Sequence, residues 1–129
     1  MAASLKKVVA PPLKELNVAV PDGVLIGVVG EERSGKSALL RLMAGVDKPA
    51  SGAIKIPGSR RYLGHGDTAD LSRVELLALD HPFAGLDPLA RARATFELSQ
   101  LRRAGSTIFL ATHDLDWLLP LSDEVWWLS

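Results

Sequence analysis

The chain contains no cysteine, which excludes a disulfide framework and thiolate chemistry and fits a reducing cytosol. It carries no net charge: fifteen Lys and Arg balance fifteen Asp and Glu. No global field therefore draws it toward nucleic acid or anionic lipid. No apolar stretch approaches the ~20 residues of a membrane-spanning helix. Work at a membrane would have to pass through a docked partner, so the expected location is cytoplasmic, peripheral to the inner membrane only by such docking. No signal peptide is expected, because Lys6 and Lys7 precede a short Val8-Val9-Ala10 run broken by Pro11 and Pro12. Repeats, low-complexity tracts and linkers are missing too, so residues 1–129 are expected to form one domain. Apolar residues are plentiful at 47 %, which argues for a packed core. Basic residues stop at Arg103, while Asp114, Asp116, Asp123 and Glu124 follow. That asymmetry suits a solvated face or a contact surface.

Leu16 to Val20 alternates like a strand, and Pro21-Asp22-Gly23 reads as a turn. Val24 to Val29 is a continuous apolar, β-branched run, the pattern of a strand buried on both faces. Helical spacing follows from Ser37 to Ala44, with Leu39, Leu40, Leu42 and Met43 apolar. Short strands are expected at Ala53–Ile56 and Arg61–Leu63, with a loop from Gly64 to Ala69. Glu75–Leu79 and Thr107–Ala111 are further buried strands. Asp87 and Pro88 form a helix start and Gly105 a helix stop. Ala92, Phe96, Leu98 and Leu101 are the expected buried stripe of that helix. One helical turn is expected at Trp117–Leu121 and a last strand at Val125–Leu128. Strands alternating with helices predict an α/β fold with a mostly parallel sheet.

The strongest signal is Gly30-Glu31-Glu32-Arg33-Ser34-Gly35-Lys36-Ser37. Glycines let the backbone wrap a phosphate with its amides pointing inward, and the next helix offers a positive N-terminus. Lys36 would reach the β- and γ-phosphates, and Ser37 would hold Mg²⁺. A buried strand before the loop and a helix after it supply the context this motif requires. Glu31 and Glu32 place two carboxylates beside a polyanion, which lowers affinity unless both face solvent. Asp80 ends a buried strand at the sheet edge where ligands bind, a position suited to Mg²⁺. Read alone, the lesser alternative is a helix or turn cap before Pro82.

With these segments in view, the sequence resembles the ATP-binding cassette (ABC) ATPases. The glycine-rich loop resembles their Walker A. Leu76 to Pro88, Leu-Leu-Ala-Leu-Asp-His-Pro-Phe-Ala-Gly-Leu-Asp-Pro, resembles their Walker B strand running into the D-loop. Ala111-Thr112-His113-Asp114 resembles their switch-histidine segment. Leu39 to Gly45, followed by Pro49, Ser51 and Gly52, matches the stretch after Walker A. The resemblance implies a RecA-like P-loop NTPase core that binds ATP and Mg²⁺. Gly30, Arg33, Ser34, Gly35, Lys36, Ser37 and Ala38 would hold phosphate, and Ser37 and Asp80 the Mg²⁺. Asp87 would sit at a dimer contact and His113 at the γ-phosphate. Read alone, His113 would be a strand-end core histidine.

The departures from the family pattern carry as much information. The glutamate that polarises water is expected after Asp80, where this chain has His81. An imidazole can accept a proton but adds no negative charge, so hydrolysis is expected to be slow or partner-dependent. Only 43 residues separate Lys36 from Asp80. Family members carry a helical subdomain there, with a Leu-Ser-Gly-Gly-Gln signature. Leu71-Ser72-Arg73-Val74 resembles a remnant of it, and no Gly-Gly follows. Arg61-Tyr62-Leu63-Gly64-His65 falls where the Q-loop strand would end and resembles haem-exporter ATP-binding subunits; His65 stands in place of the glutamine. The upstream aromatic that stacks on adenine is missing, with Val8 and Val9 in that region, and Tyr62 lies on another strand. His65, His81 and His113 map to loops around one site, where with Asp80 they could bind Zn²⁺ or Mn²⁺. Alternation should bury one of Trp126 and Trp127 and expose the other as a candidate partner anchor.

Three functions remain open at this point. One is an ATP- and Mg²⁺-binding regulatory or transport-associated subunit with impaired hydrolysis, partnering a fuller ABC subunit or a membrane permease. The second is an active ATPase energising a transporter, with His81 or a partner residue as base. The third is a non-enzymatic phosphate-binding scaffold.

Overall fold

The computed structural model describes residues 3–9, 16–31, 33–56, 58–64, 73–82 and 87–128. Five strands form a parallel sheet: β3 (Leu25–Gly30), β5 (Arg60–Leu63), β6 (Leu76–Asp80), β7 (Thr107–Ala111) and β8 (Glu124–Leu128), in the order β5-β6-β7-β3-β8. β6 and β7 are buried at every position, and β3 at all but its last. That burial is why their sequences read as unbroken apolar runs rather than alternating ones. A second, antiparallel sheet has the order β2-β1-β4, from β1 (Ala3–Val9), β2 (Leu16–Val20) and β4 (Ser51–Lys55).

Two apolar clusters flank the parallel sheet. On one face Ile26, Val28, Ala78 and Phe109 pack with Leu39, Leu40, Leu42 and Met43 of helix α1 (Lys36–Met43) and with Leu5 and Val8 of β1. On the other, Leu25, Leu77, Leu79, Ile108 and Leu110 pack with Leu98 of α2 (Pro88–Arg103) and Leu118 of α3 (Leu115–Leu121). The fold is thus the α/β arrangement with a mostly parallel sheet expected from the alternating elements.

Two expectations need correction. β1 is a full seven-residue strand where only a short apolar run was legible. Its Lys6 and Lys7 are exposed, and a register shift between Leu5 and Val8 breaks the alternation that would have marked it. In α2 the buried residues are Ala94 and Leu98, whereas Phe96 is 64 % exposed and Ala92 is also exposed. Leu98 packs into the cluster on that face of the sheet, and Phe96 sits on the outer side of the helix. The helix ends are as read: Asp87 accepts from the Ala90 amide at 2.8 Å, Pro88 opens the helix, and Gly105 follows it at φ 102°.

The segment between β5 and β6 is short, and Arg73 ties its far end down. The Arg73 guanidinium donates to the Ala104 carbonyl at the end of α2, at 2.9 and 3.3 Å, and to Glu75 at 2.9 Å. The Ser106 hydroxyl donates to the Val74 carbonyl in a buried bond. Among the described residues, no helix is long and apolar enough to cross a membrane.

Candidate functional site

The glycine-rich loop leaves the carboxyl end of β3, between β7 and β8, and enters α1. Its turn is closed by the Ser34 amide donating to the Glu31 carbonyl at 3.1 Å. Arg33 and Gly35 take left-handed conformations, φ 66° and 102°. Gly35 begins α1 without a side-chain cap, so the first helical amides remain available to an anion. Gly30 is required by close packing: a Cβ there would lie 2.5 Å from Ser34 Oγ and 2.7 Å from the Leu128 carbonyl. The Lys36 ammonium donates to the Gly30 carbonyl, and to that of Glu31 at 3.4 Å. Glu31 is exposed yet lines the cavity over the loop; Glu32 lies outside the described residues.

A cavity of about 340 Å³ opens over this loop, lined by Glu31, Arg33, Gly35, Lys36, Ser37, Ala38, Arg41, His81 and His113. Sheet register explains why the two histidines meet there. Asp80 on β6 lies opposite Ala111 on β7, so the residues following each strand emerge side by side. The His81 and His113 rings stack with centroids 4.4 Å apart and planes at 28°. His81 adopts φ 49°, and its amide donates to the Ala111 carbonyl at 2.8 Å. A left-handed non-glycine residue is strained, and such strain gathers at functional sites. After His113, the Asp114 amide donates to Thr112 Oγ1 at 3.2 Å, and Asp114 caps α3 by accepting from the Trp117 amide at 3.3 Å. Arg91 pairs with Asp114 at 2.5 Å, tying this segment to α2.

Asp80 is 5 % exposed. Its Oδ2 accepts from the Tyr62 hydroxyl at 2.9 Å. Its Oδ1 has no hydrogen-bond partner among the described residues and lies 3.9 Å from His81 Nε2. Burial, then the hydrogen bond to Asp80, raise the Tyr62 phenol above its ordinary range. Arg41 joins the same cluster from α1: its Nε donates to Asp47 at 2.8 Å, which raises the guanidinium's already high pKa. Tyr62 is the site residue that sequence reasoning missed. The signal was faint but present in the register, since Tyr62 pairs with Ala78, and Asp80, two residues on, shares that face.

A metal site is judged on the same geometry. A buried carboxylate oxygen without a partner, at the sheet edge beside a phosphate loop, suits a hard cation, and Mg²⁺ keeps few protein ligands and takes the rest from phosphate and water. Ser37 and Asp80 therefore fit Mg²⁺. Among the described residues, no three His, Cys, Asp or Glu side chains form a group that could hold a metal by themselves. His65, the third imidazole of the Zn²⁺ or Mn²⁺ expectation, lies outside the described residues.

Residues 13–78 match the family model described as ABC transporter. The chain belongs to that family. The match spans β2, the phosphate loop and most of β6. ABC relatives extend the likeness further along the chain. The aliphatic sulfonates import ATP-binding protein SsuB of Granulibacter bethesdensis is 27 % identical over 170 aligned residues, covering 88 % of this chain and 71 % of that protein. An alignment longer than the present 129 residues means that SsuB carries a stretch with no counterpart here. The macrolide export ATP-binding/permease protein MacB of Acinetobacter baylyi is 30 % identical, covering 74 % of this chain but 17 % of that protein. The lipoprotein-releasing system ATP-binding protein LolD of Rickettsia felis is 33 % identical, covering 63 % of this chain and 43 % of its own length. A solved ATP-binding subunit of an ABC transporter superposes with a TM-score of 0.81 at 17 % identity, over 99 % of this chain and 86 % of that one; at that identity it speaks for the fold. The finer resemblance to haem exporters is not confirmed by these relatives.

Proposed function

We propose that residues 1–129 form one ABC-type nucleotide-binding domain that holds ATP and Mg²⁺ and hydrolyses ATP slowly unless a partner assists. The observation that carries this reading is the make-up of the phosphate cavity, where Lys36, Ser37 and the first amides of α1 meet His81 and His113, and where Glu31 of the loop itself is the carboxylate in the lining. Lys36 and the loop amides of Arg33 to Ala38 bind and orient the polyphosphate. Ser37 and Asp80 would hold Mg²⁺, which when bound neutralises charge on the phosphate oxygens. His113 and His81 line the same cavity, where their ring N–H groups would donate to the terminal phosphate.

A water-polarising carboxylate acts by holding negative charge beside the attacking oxygen. His81 offers no such charge, and its ring is stacked against His113. The domain therefore binds nucleotide better than it cleaves it. Its role is that of a nucleotide-dependent regulatory or transport-associated subunit, as the ATP-binding names of its relatives support. Its partner would be a fuller ABC subunit or a membrane permease, and its place would be peripheral to the membrane that holds that partner. Equilibrium binding of ATP with Mg²⁺, alongside phosphate release, tests the reading. Wild type binds and Lys36→Ala does not, with turnover in both near background. Turnover matching a working ABC ATPase and abolished by Lys36→Ala would refute the impaired-hydrolysis half.

A further inference from the structure

We propose that Trp127 is the stacking platform for the base of a nucleotide held by the phosphate loop. The inference rests on the phosphate-loop reading above and adds the other end of the ligand. In the parallel sheet β3 lies between β7 and β8. The β7 side of the loop is the terminal-phosphate side, because His81 and His113 line the cavity there. A nucleotide's base lies at the opposite end of the molecule from its terminal phosphate, so it leaves the loop on the β8 side. Trp127 pairs with Val29 and Leu128 with Gly30, which sets the indole beside the first residue of the loop.

A cavity of about 490 Å³ lies on that flank, lined by Gly30, Arg33, Ser34, Trp127 and Leu128 among others. That volume is in the range of small-molecule sites. It shares Glu31 and Arg33 with the phosphate cavity, so the two cavities adjoin across one loop. Trp127 is 71 % exposed, whereas Trp126 packs edge-on against Phe109 at 5.4 Å. Alternation along β8 separates the two roles: one indole fills the core and the other offers a free face. Ser34 Oγ lines the same cavity, buried and without a hydrogen-bond partner among the described residues. Val8, in the strand where the missing aromatic was sought, is fully buried and has no aromatic face. A flat π-surface without a built recognition edge stacks any base, so the ligand class is a nucleoside triphosphate.

The test compares ATP with inorganic tripolyphosphate, which has the charge and lacks the base. Calorimetry on wild type, Trp127→Ala and Trp127→Phe measures both ligands. Removing one stacking ring weakens base binding by about tenfold, so Trp127→Ala should lose about that factor for ATP and nothing for tripolyphosphate. Trp127→Phe should recover most of the loss. Unchanged ATP affinity in Trp127→Ala overturns the platform alone and leaves the exposed indole as a protein-contact residue. Equal losses for both ligands also overturn it, since they point to a disturbed loop. Wild type that binds neither ligand removes the phosphate-loop reading and the platform together. Because Trp127 lies outside both apolar clusters, the thermal midpoint should be the same for all three proteins.

Discussion

Replacing Tyr62 with phenylalanine removes one hydroxyl and leaves the ring, so it isolates the bond to Asp80. The phenol donates at 2.9 Å to a carboxylate that is 5 % exposed and whose other oxygen has no partner among the described residues. A hydrogen bond to a charged acceptor contributes roughly 1.5–3 kcal/mol, because its loss strands a buried charge. Tyr62 is itself only half-buried, so water can reach the vacated oxygen in part. The expected cost of Tyr62→Phe is therefore near the lower end, about 1.5 kcal/mol. For a chain of this size that is about 5 °C in midpoint. Urea unfolding at neutral pH measures it, in a cycle with Asp80→Asn. If the cost belongs to the pair, the two single changes are not additive, and the coupling is about 1 kcal/mol or more. A loss for Tyr62→Phe below about 0.5 kcal/mol, or an additive double variant, would refute the argument that this bond satisfies Asp80.

The same phenol gives a pH prediction. Its pKa is raised above 10.0 in the folded protein, so its stabilising part is complete below pH about 10 and is lost as pH rises through the folded value. The stability gap between wild type and Tyr62→Phe should narrow above that pH, as alkaline unfolding curves would show. Arg73→Ala removes two bonds to the Ala104 carbonyl and one to Glu75. It should cost about 1 kcal/mol and raise hydrogen exchange at the end of α2 and the start of β6. Phe96→Ser, at a residue 64 % exposed, should change stability by less than about 0.5 kcal/mol. A larger loss would restore the expectation that Phe96 is packed.

The parts of this protein that were legible in its sequence are those governed by near-neighbour chemistry. Val24 to Val29 announces a strand buried on both faces, since a parallel strand has no solvent side to mark with polar residues. The glycine and lysine spacing of the phosphate loop is equally local, because the backbone wraps its ligand within eight residues. Asp87 and Pro88 declare a helix start for the same reason. Phe96 misled because helical spacing alone does not say which side of α2 meets the sheet.

What required tertiary structure was every relation between segments distant in the chain. The order β5-β6-β7-β3-β8 sets His81 beside His113 and Trp127 on the opposite flank of the loop. The register of Tyr62 with Ala78 delivers a hydroxyl to Asp80 from 18 residues away. Sequence determined that a phosphate could be held and that the glutamate after Asp80 is replaced. Only the sheet decided which side chains surround that phosphate, because strand order and register depend on packing both faces of the sheet at once.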